Sequence, residues 1–179
     1  MSKARDQALI ERCKRGDRRA LEQLLGDYER PVYNAAYRIV GNPDDAADVT
    51  QAVFLKAFER LEQYNPKFKF FSWIYRIAIN ESINQVKSNS KQQPLEDKEI
   101  ADLRGPDDFV RAGELSRCIQ GGLMSLQEDY RTVVVLRHFS ECSYRQISEI
   151  LHIPEKTVKS RLYTARQLMK DILKDSGVF

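Results

Sequence analysis

The chain has 179 residues, of which 29 are Lys or Arg and 26 are Asp or Glu, for a net charge of +3. Apolar residues make up 42% and charged residues 31%, the balance of a soluble folded chain, which excludes collagen-like, wholly disordered and disulfide-scaffold classes. No apolar run reaches the roughly 18 residues of a membrane span, and the start, Met1-Ser2-Lys3-Ala4-Arg5-Asp6, lacks an apolar signal region, so no stable membrane insertion is expected.

Helical periodicity dominates, and the predicted fold is all-α. Helices are expected over 5–15, 18–40, 43–63, 71–88, 109–125, 127–138, 144–151 and 155–174. Gly41-Asn42-Pro43 separates the second from the third, and Asn65-Pro66 ends the third. At about 100° per residue, the third helix puts Ala46, Val49, Val53, Phe54, Ala57, Phe58 and Leu61 on one broad core face. The opposite face gathers Asp45, Asp48, Gln51, Ala52, Leu55, Glu59 and Glu62. A leucine framed by acids fits a docking face for a basic partner helix, and a single exposed leucine is also ordinary. Asp44, Asp45 and Asp48 lack a histidine or further carboxylate cluster to complete a metal site.

Next along the chain, Tyr64, Phe68, Phe70, Phe71, Trp73 and Tyr75 crowd six of the 17 aromatic residues beside Lys67, Lys69 and Arg76. Some of these rings must serve as core for the fourth helix. The part from Asn65 to Phe70 is harder to bury, and rings beside lysines suit a separated nucleic-acid strand, where bases stack and cations follow the backbone.

Residues 1–90 carry net +3, residues 91–114 net −3, and residues 115–179 net +3. Within the acidic stretch, Lys91-Gln92-Gln93-Pro94 and Arg104-Gly105-Pro106-Asp107-Asp108 carry turn chemistry. An acidic flexible linker over 89–108 is expected between two small helical domains, 1–88 and 109–179. Fully extended, it would span up to about 70 Å. Val133-Val134-Val135-Leu136 has strand-forming residues, but Leu126, Tyr130, Val133, Val134 and Arg137 lie at helical spacing, which favours helix.

Ser143-Tyr144-Arg145-Gln146 reads as a capping box opening a short helix. His152-Ile153 turns the chain, and Pro154 fits the first position of the last helix. That helix has an inward stripe of Val158, Leu162, Ala165, Met169 and Ile172. Its other face carries Lys156, Lys159, Ser160, Tyr163, Arg166 and Lys170. A short helix, a tight turn and a longer basic helix make a helix-turn-helix, whose second helix enters the major groove by its N-terminal part. Lys156, Lys159 and Arg161 can reach phosphates or guanine edges, and Thr157 and Ser160 can bond phosphates or bases. A helical hairpin with a solvated basic face would show the same pattern.

These pieces, in this order, resemble an extracytoplasmic function (ECF) sigma factor of the sigma-70 family over nearly the whole chain. Asp44 to Phe58 is similar to the family's core-polymerase-binding segment, which points to Asp45, Asp48, Gln51, Leu55 and Glu59 as contacts. Phe71 to Asn80 is similar to the segment that melts and reads the minus-10 element. With the preceding loop, it implies roles there for Lys67, Phe68, Lys69, Phe70, Trp73, Tyr75, Arg76 and Asn80. Tyr144 to Leu162 resembles the minus-35 helix-turn-helix, implying Arg145, Lys156, Thr157, Lys159, Ser160, Arg161, Tyr163 and Arg166 as DNA contacts. Ala47 and Ala52 stand where the family often has an acid, and Glu81 to Ser90 is less basic than is common there.

The resemblance implies a transcription initiation factor without enzymatic activity. It implies no metal or cofactor, core RNA polymerase and promoter DNA (duplex and melted) as partners, an anti-sigma factor, and a cytoplasmic location. Three widely spaced cysteines, Cys13, Cys118 and Cys142, suit that reducing compartment, and His138 and His152 are too few for a His-rich metal site. Two rival expectations are a helix-turn-helix regulator acting without polymerase and a metal-dependent nuclease using Asp44, Asp45 and Asp48.

Overall fold

The computed structural model describes residues 3–92 and 107–175. Eight α-helices run in order among the described residues: α1 (Lys3–Lys14), α2 (Arg18–Val40), α3 (Pro43–Glu59), α4 (Phe70–Gln92), α5 (Asp107–Ser125), α6 (Glu128–Val134), α7 (Tyr144–Leu151) and α8 (Glu155–Asp175). A 3₁₀ turn, Leu61–Gln63, follows α3, and a π-helical turn, Val135–Phe139, continues α6. No strand is present among the described residues. The expected linker begins later than its composition suggested, since α4 continues through Gln92. Residues 93–106 of that expected linker lie outside the described residues, and its last two residues, Asp107 and Asp108, already belong to α5.

Local chemistry accounts for most helix ends. Asp17 caps α2, its side chain accepting from the Arg19 and Ala20 amides at 3.0 and 3.3 Å. Asn42 caps α3 in the same way, accepting from the Asp44 and Asp45 amides at 2.8 and 3.0 Å. Between them, Gly41 ends α2 with φ of 79° and donates its N–H to the Tyr37 carbonyl. That left-handed backbone is what calls for glycine here, and a Cβ would in addition push aside the Met124 side chain, whose Sδ lies 2.5 Å from where it would stand. The expected third helix is broken at Arg60, where the chain turns into the short 3₁₀ segment.

Helices α1 to α4 pack together and α5 to α8 pack together, with one continuous apolar core running through both groups. The seam is formed by α2 against α5, α6 and the π turn, and by α4 against α7. Val133 to Leu136, the strand-like run, is helical and buried, because its side chains fill the space between α2 and α8. Arg131 stands at the centre of the seam. Its guanidinium donates to the Ile39 carbonyl at 2.6 Å, to Met124 at 2.9 Å and to Leu126 at 3.0 Å. Those carbonyls close the last turns of α2 and α5, where a cation is favoured by the helix dipoles. Arg38 donates to Gln120 Oε1 at 3.0 Å and lies 4.6 Å from the centre of the Phe139 ring.

Candidate functional site

Three surfaces carry the residues singled out by the sequence. On α3, Asp48, Gln51, Leu55 and Glu59 are exposed along one face, with Leu55 at 59%. Beside them, α2 and α3 enclose an open groove of about 580 Å³ lined by Leu25, Arg30, Tyr33, Gln51, Phe54 and Leu55. The α2 side of this groove was not anticipated, although Leu25 and Tyr33 recur at two-turn spacing beside the core stripe Leu24, Tyr28 and Val32. Asp45 does not share the exposed face. Its two carboxylate oxygens accept from Gln85 and Asn89 of α4, both at 2.9 Å, so it fastens the start of α3 to α4.

The aromatic segment divides into core and surface. Phe70 is 1% exposed and meets Tyr28, Tyr64 and Trp73 with ring centroids 5.1, 5.6 and 5.5 Å apart. Tyr75 is also buried, stacked on Phe71 at 4.2 Å and donating to the Pro31 carbonyl at 3.3 Å. Burial pushes its phenol up to about 12. In this conformation Phe70 and Tyr75 are therefore framework, not stacking platforms, and Trp73 is half-buried in the same ring cluster. Phe68 differs, with half of its surface in solvent between the exposed Lys67 and Lys69. Asn80 is exposed one face further along α4. Arg76 donates Nη2 to the Glu149 carbonyl of α7 at 2.6 Å, and burial lowers its guanidinium from the ordinary value.

The helix-turn-helix forms as its capping chemistry dictates. Ser143 Oγ accepts from the Gln146 amide at 3.2 Å, and Gln146 Oε1 accepts from the Ser143 amide at 2.9 Å. His152 takes the left-handed conformation at φ of 53°, and Ser148 Oγ donates to the Ile153 carbonyl at 2.6 Å, which fixes the turn. Pro154 precedes the first residue of α8 instead of occupying it, and its carbonyl receives the Thr157 and Val158 amides. Val158, Leu162 and Ala165 are buried, while Lys156, Lys159, Ser160, Tyr163 and Arg166 are exposed on the opposite face. Tyr163, at 68%, is the most exposed large apolar side chain among the described residues. Thr157 is half-buried beside them. Arg161 is turned aside to pair with Asp129 of α6, and Arg145 pairs with Glu149 at 3.2 Å.

Among the described residues no group of three His, Cys, Asp or Glu side chains could hold a metal ion. No helix among them is long and apolar enough to cross a membrane.

Comparison with known proteins gives a consistent match. The family model described as Sigma-70 region 2 matches residues 24–92, and that described as Sigma-70, region 4 matches residues 116–169. The chain is 34% identical to the ECF RNA polymerase sigma factor SigW of Bacillus subtilis, across 93% of this chain and 95% of that protein. It is 32% identical to the ECF RNA polymerase sigma-E factor of Haemophilus influenzae, across 93% of this chain and 94% of that one. Among solved structures, the fold is similar to that of CnrH in complex with the cytosolic domain of CnrY, with a TM-score of 0.76 and 23% identity over 96% of this chain and 98% of the other. The sigma factor RpoE in complex with the anti-sigma factor NepR from Bartonella quintana gives a TM-score of 0.69 and 22% identity, over 86% of this chain and 96% of that one.

Proposed function

The chain belongs to the ECF RNA polymerase sigma factors of the sigma-70 family, and on that premise we propose how its three surfaces divide the work of transcription initiation. It is a transcription initiation factor that binds core RNA polymerase and promoter DNA, not an enzyme. We assign residues 1–88, extended by α4 to Gln92, to polymerase binding and minus-10 opening, and residues 109–179 to the minus-35 element. The separate region 2 and region 4 matches support that division.

The polymerase contact is Leu55 with Asp48, Gln51 and Glu59, beside the α2–α3 groove. The supporting observation is a largely exposed leucine at the rim of an apolar groove on a face that otherwise bears acids. An apolar anchor ringed by polar groups is the usual composition of a binding centre. Asp45, tied to α4, orients α3 instead of touching the partner. Leu55→Asp and Asp48→Arg weaken co-purification with core polymerase while the far-ultraviolet circular dichroism is unchanged, since both side chains face solvent. Full retention of core binding by both variants rejects the assignment.

Phe68, Lys67, Lys69 and Asn80 meet the opened strand, and Lys156, Lys159, Ser160, Tyr163 and Arg166 meet the upstream duplex. The free N–H groups at the start of α8 suit a phosphate. Arg76 binds α7 here, so α4 and the helix-turn-helix are in contact. The two promoter elements lie a couple of helical turns apart, at about 34–36 Å per turn. Engagement of both therefore requires the α4–α7 contact to part, which frees Arg76 for phosphate. The chain works in the cytoplasm, where polymerase is, and an anti-sigma factor holds it inactive. The solved complexes of similar fold, whose titles name CnrY and NepR as bound partners, support that reading.

A further inference from the structure

The loop between the 3₁₀ turn and α4 is held at every carbonyl from Asn65 to Lys69. The Phe68 amide bonds the Asn65 carbonyl at 3.1 Å, and the Trp73 amide bonds Lys69 at 3.3 Å. Tyr64 donates its hydroxyl to the Phe68 carbonyl at 2.7 Å. The other two carbonyls are taken by side chains of a distant helix. Gln7 Nε2 of α1 donates to Pro66 at 2.8 Å, and Lys3 Nζ donates to Lys67 at 2.9 Å.

Water would satisfy exposed carbonyls at no cost in side-chain entropy, whereas ordering Gln and Lys side chains is among the more expensive choices. Satisfying the loop does not require these two bonds; holding it in one place does. Their helix is itself firmly seated. Leu9 and Ile10 are buried, and Asp6 Oδ2 accepts from the Tyr28 hydroxyl at 2.7 Å beneath the Phe70 ring. The family match to region 2 begins only at residue 24, so α1 lies outside it.

We propose that Gln7 is a positioning residue for promoter opening: α1 grips the Pro66 and Lys67 carbonyls and so presents the half-exposed Phe68 ring to the separated strand before that strand arrives. The proposal rests on the reading of Phe68 as a strand contact. Without the grip, the loop pays its ordering entropy during opening, and an exposed ring is free to fold onto the surface. Lys3 supports the same grip and brings a third ammonium to Lys67 and Lys69, but its charge complicates a test. Gln7 is the cleaner probe.

The decisive variants are Gln7→Met, which keeps the length and helix preference of the side chain but removes its donor without adding charge, and Gln7→Lys, which keeps a donor. Each is assembled into holoenzyme with core polymerase. Opening is followed by permanganate reactivity on a promoter recovered by run-off transcription from a promoter library, next to a pre-melted template of the same sequence. Closed-complex affinity and melting temperature are measured alongside. Gln7→Met slows opening of the duplex about fivefold, the factor one neutral hydrogen bond supplies. It leaves closed-complex affinity unchanged, and the deficit shrinks on the pre-melted template. Gln7→Lys opens like wild type. Equal slowing by both variants, or loss of closed-complex affinity in step with opening, assigns α1 a merely structural role and overturns the proposal. Wild-type opening by Gln7→Met while Phe68→Ala is slow overturns the proposal but leaves the strand contact standing. Wild-type opening by Phe68→Ala overturns both.

Discussion

Replacing Arg131 by Met tests whether a single buried cation joins the two halves of the chain. Arg131 is 9% exposed and bonds three helix-terminal carbonyls, one across the seam and two within its own half. A hydrogen bond to a charged group contributes about 1.5–3 kcal/mol. The three do not add, because they share one guanidinium whose burial costs several kcal/mol by itself. Its Nε has no hydrogen-bond partner, so part of that cost is not returned. Methionine replaces the aliphatic stem but stops short of the guanidinium and donates to none of the three carbonyls, which leaves an expected loss of about 2–4 kcal/mol. The assay is urea unfolding followed by two signals. Trp73 is the single tryptophan and reports on the α1–α4 half, while far-ultraviolet circular dichroism reports on all helices. Wild type unfolds with both signals together. In Arg131→Met the dichroism transition moves to lower urea and separates from the fluorescence transition, because α5 to α8 lose two bonds and their hold on α2. Coincident transitions with a loss below about 0.5 kcal/mol, the range of a surface substitution, refute the reasoning.

Phe68→Ala slows promoter opening by the equivalent of about 1–3 kcal/mol at unchanged melting temperature, whereas Phe70→Ala lowers stability by about 3–5 kcal/mol; permanganate footprinting and thermal melts separate the two. Ser143→Ala removes the side-chain cap of α7 and costs about 0.5–2 kcal/mol in chemical denaturation, with a matching loss of minus-35 binding in holoenzyme only at temperatures where α7 frays. Burial pushes the Cys142 thiol up to about 12 from 9.0, so the stability it lends is complete below pH 9 and is lost as pH rises toward 12. Tyr75, raised by burial from 10.0 to about 12, acts in the same direction. Alkaline denaturation of Cys142→Ala is accordingly flatter than that of wild type, and Cys13 and Cys118, both partly exposed, react with thiol reagents before Cys142 does.

Helix placement was legible because local signals agree: Gly41-Asn42-Pro43 stops one helix and starts the next, and the Ser143–Gln146 box forms as written. The basic face of α8 followed from the same periodicity that buries Val158, Leu162 and Ala165. What escaped the sequence depends on contacts between distant segments. Phe68 and Phe70 are two residues apart in one aromatic run, and only the start of α4 beneath Tyr28 sends one outward and the other in. Asp45 and Asp48 share the polar side of α3, but the far end of α4 lies over the first of them and claims it. Arg131 carried a signal that could have been read, a cation directly before the apolar run Val133-Val134-Val135-Leu136. The grip of α1 on the Pro66 and Lys67 carbonyls carried none, since the acceptors are backbone and about sixty residues away.

The most direct test of the whole account is run-off transcription with purified core RNA polymerase on a promoter library, with and without this chain. Transcripts are expected from a defined subset of promoters only when the chain is present. Leu55→Asp lowers them all alike, whereas Lys156→Ala with Lys159→Ala relaxes which promoters are chosen and lowers the salt dependence by about one unit per lost phosphate contact. Tight binding of the chain to duplex DNA without polymerase, together with no chain-dependent transcript from any promoter, would contradict it.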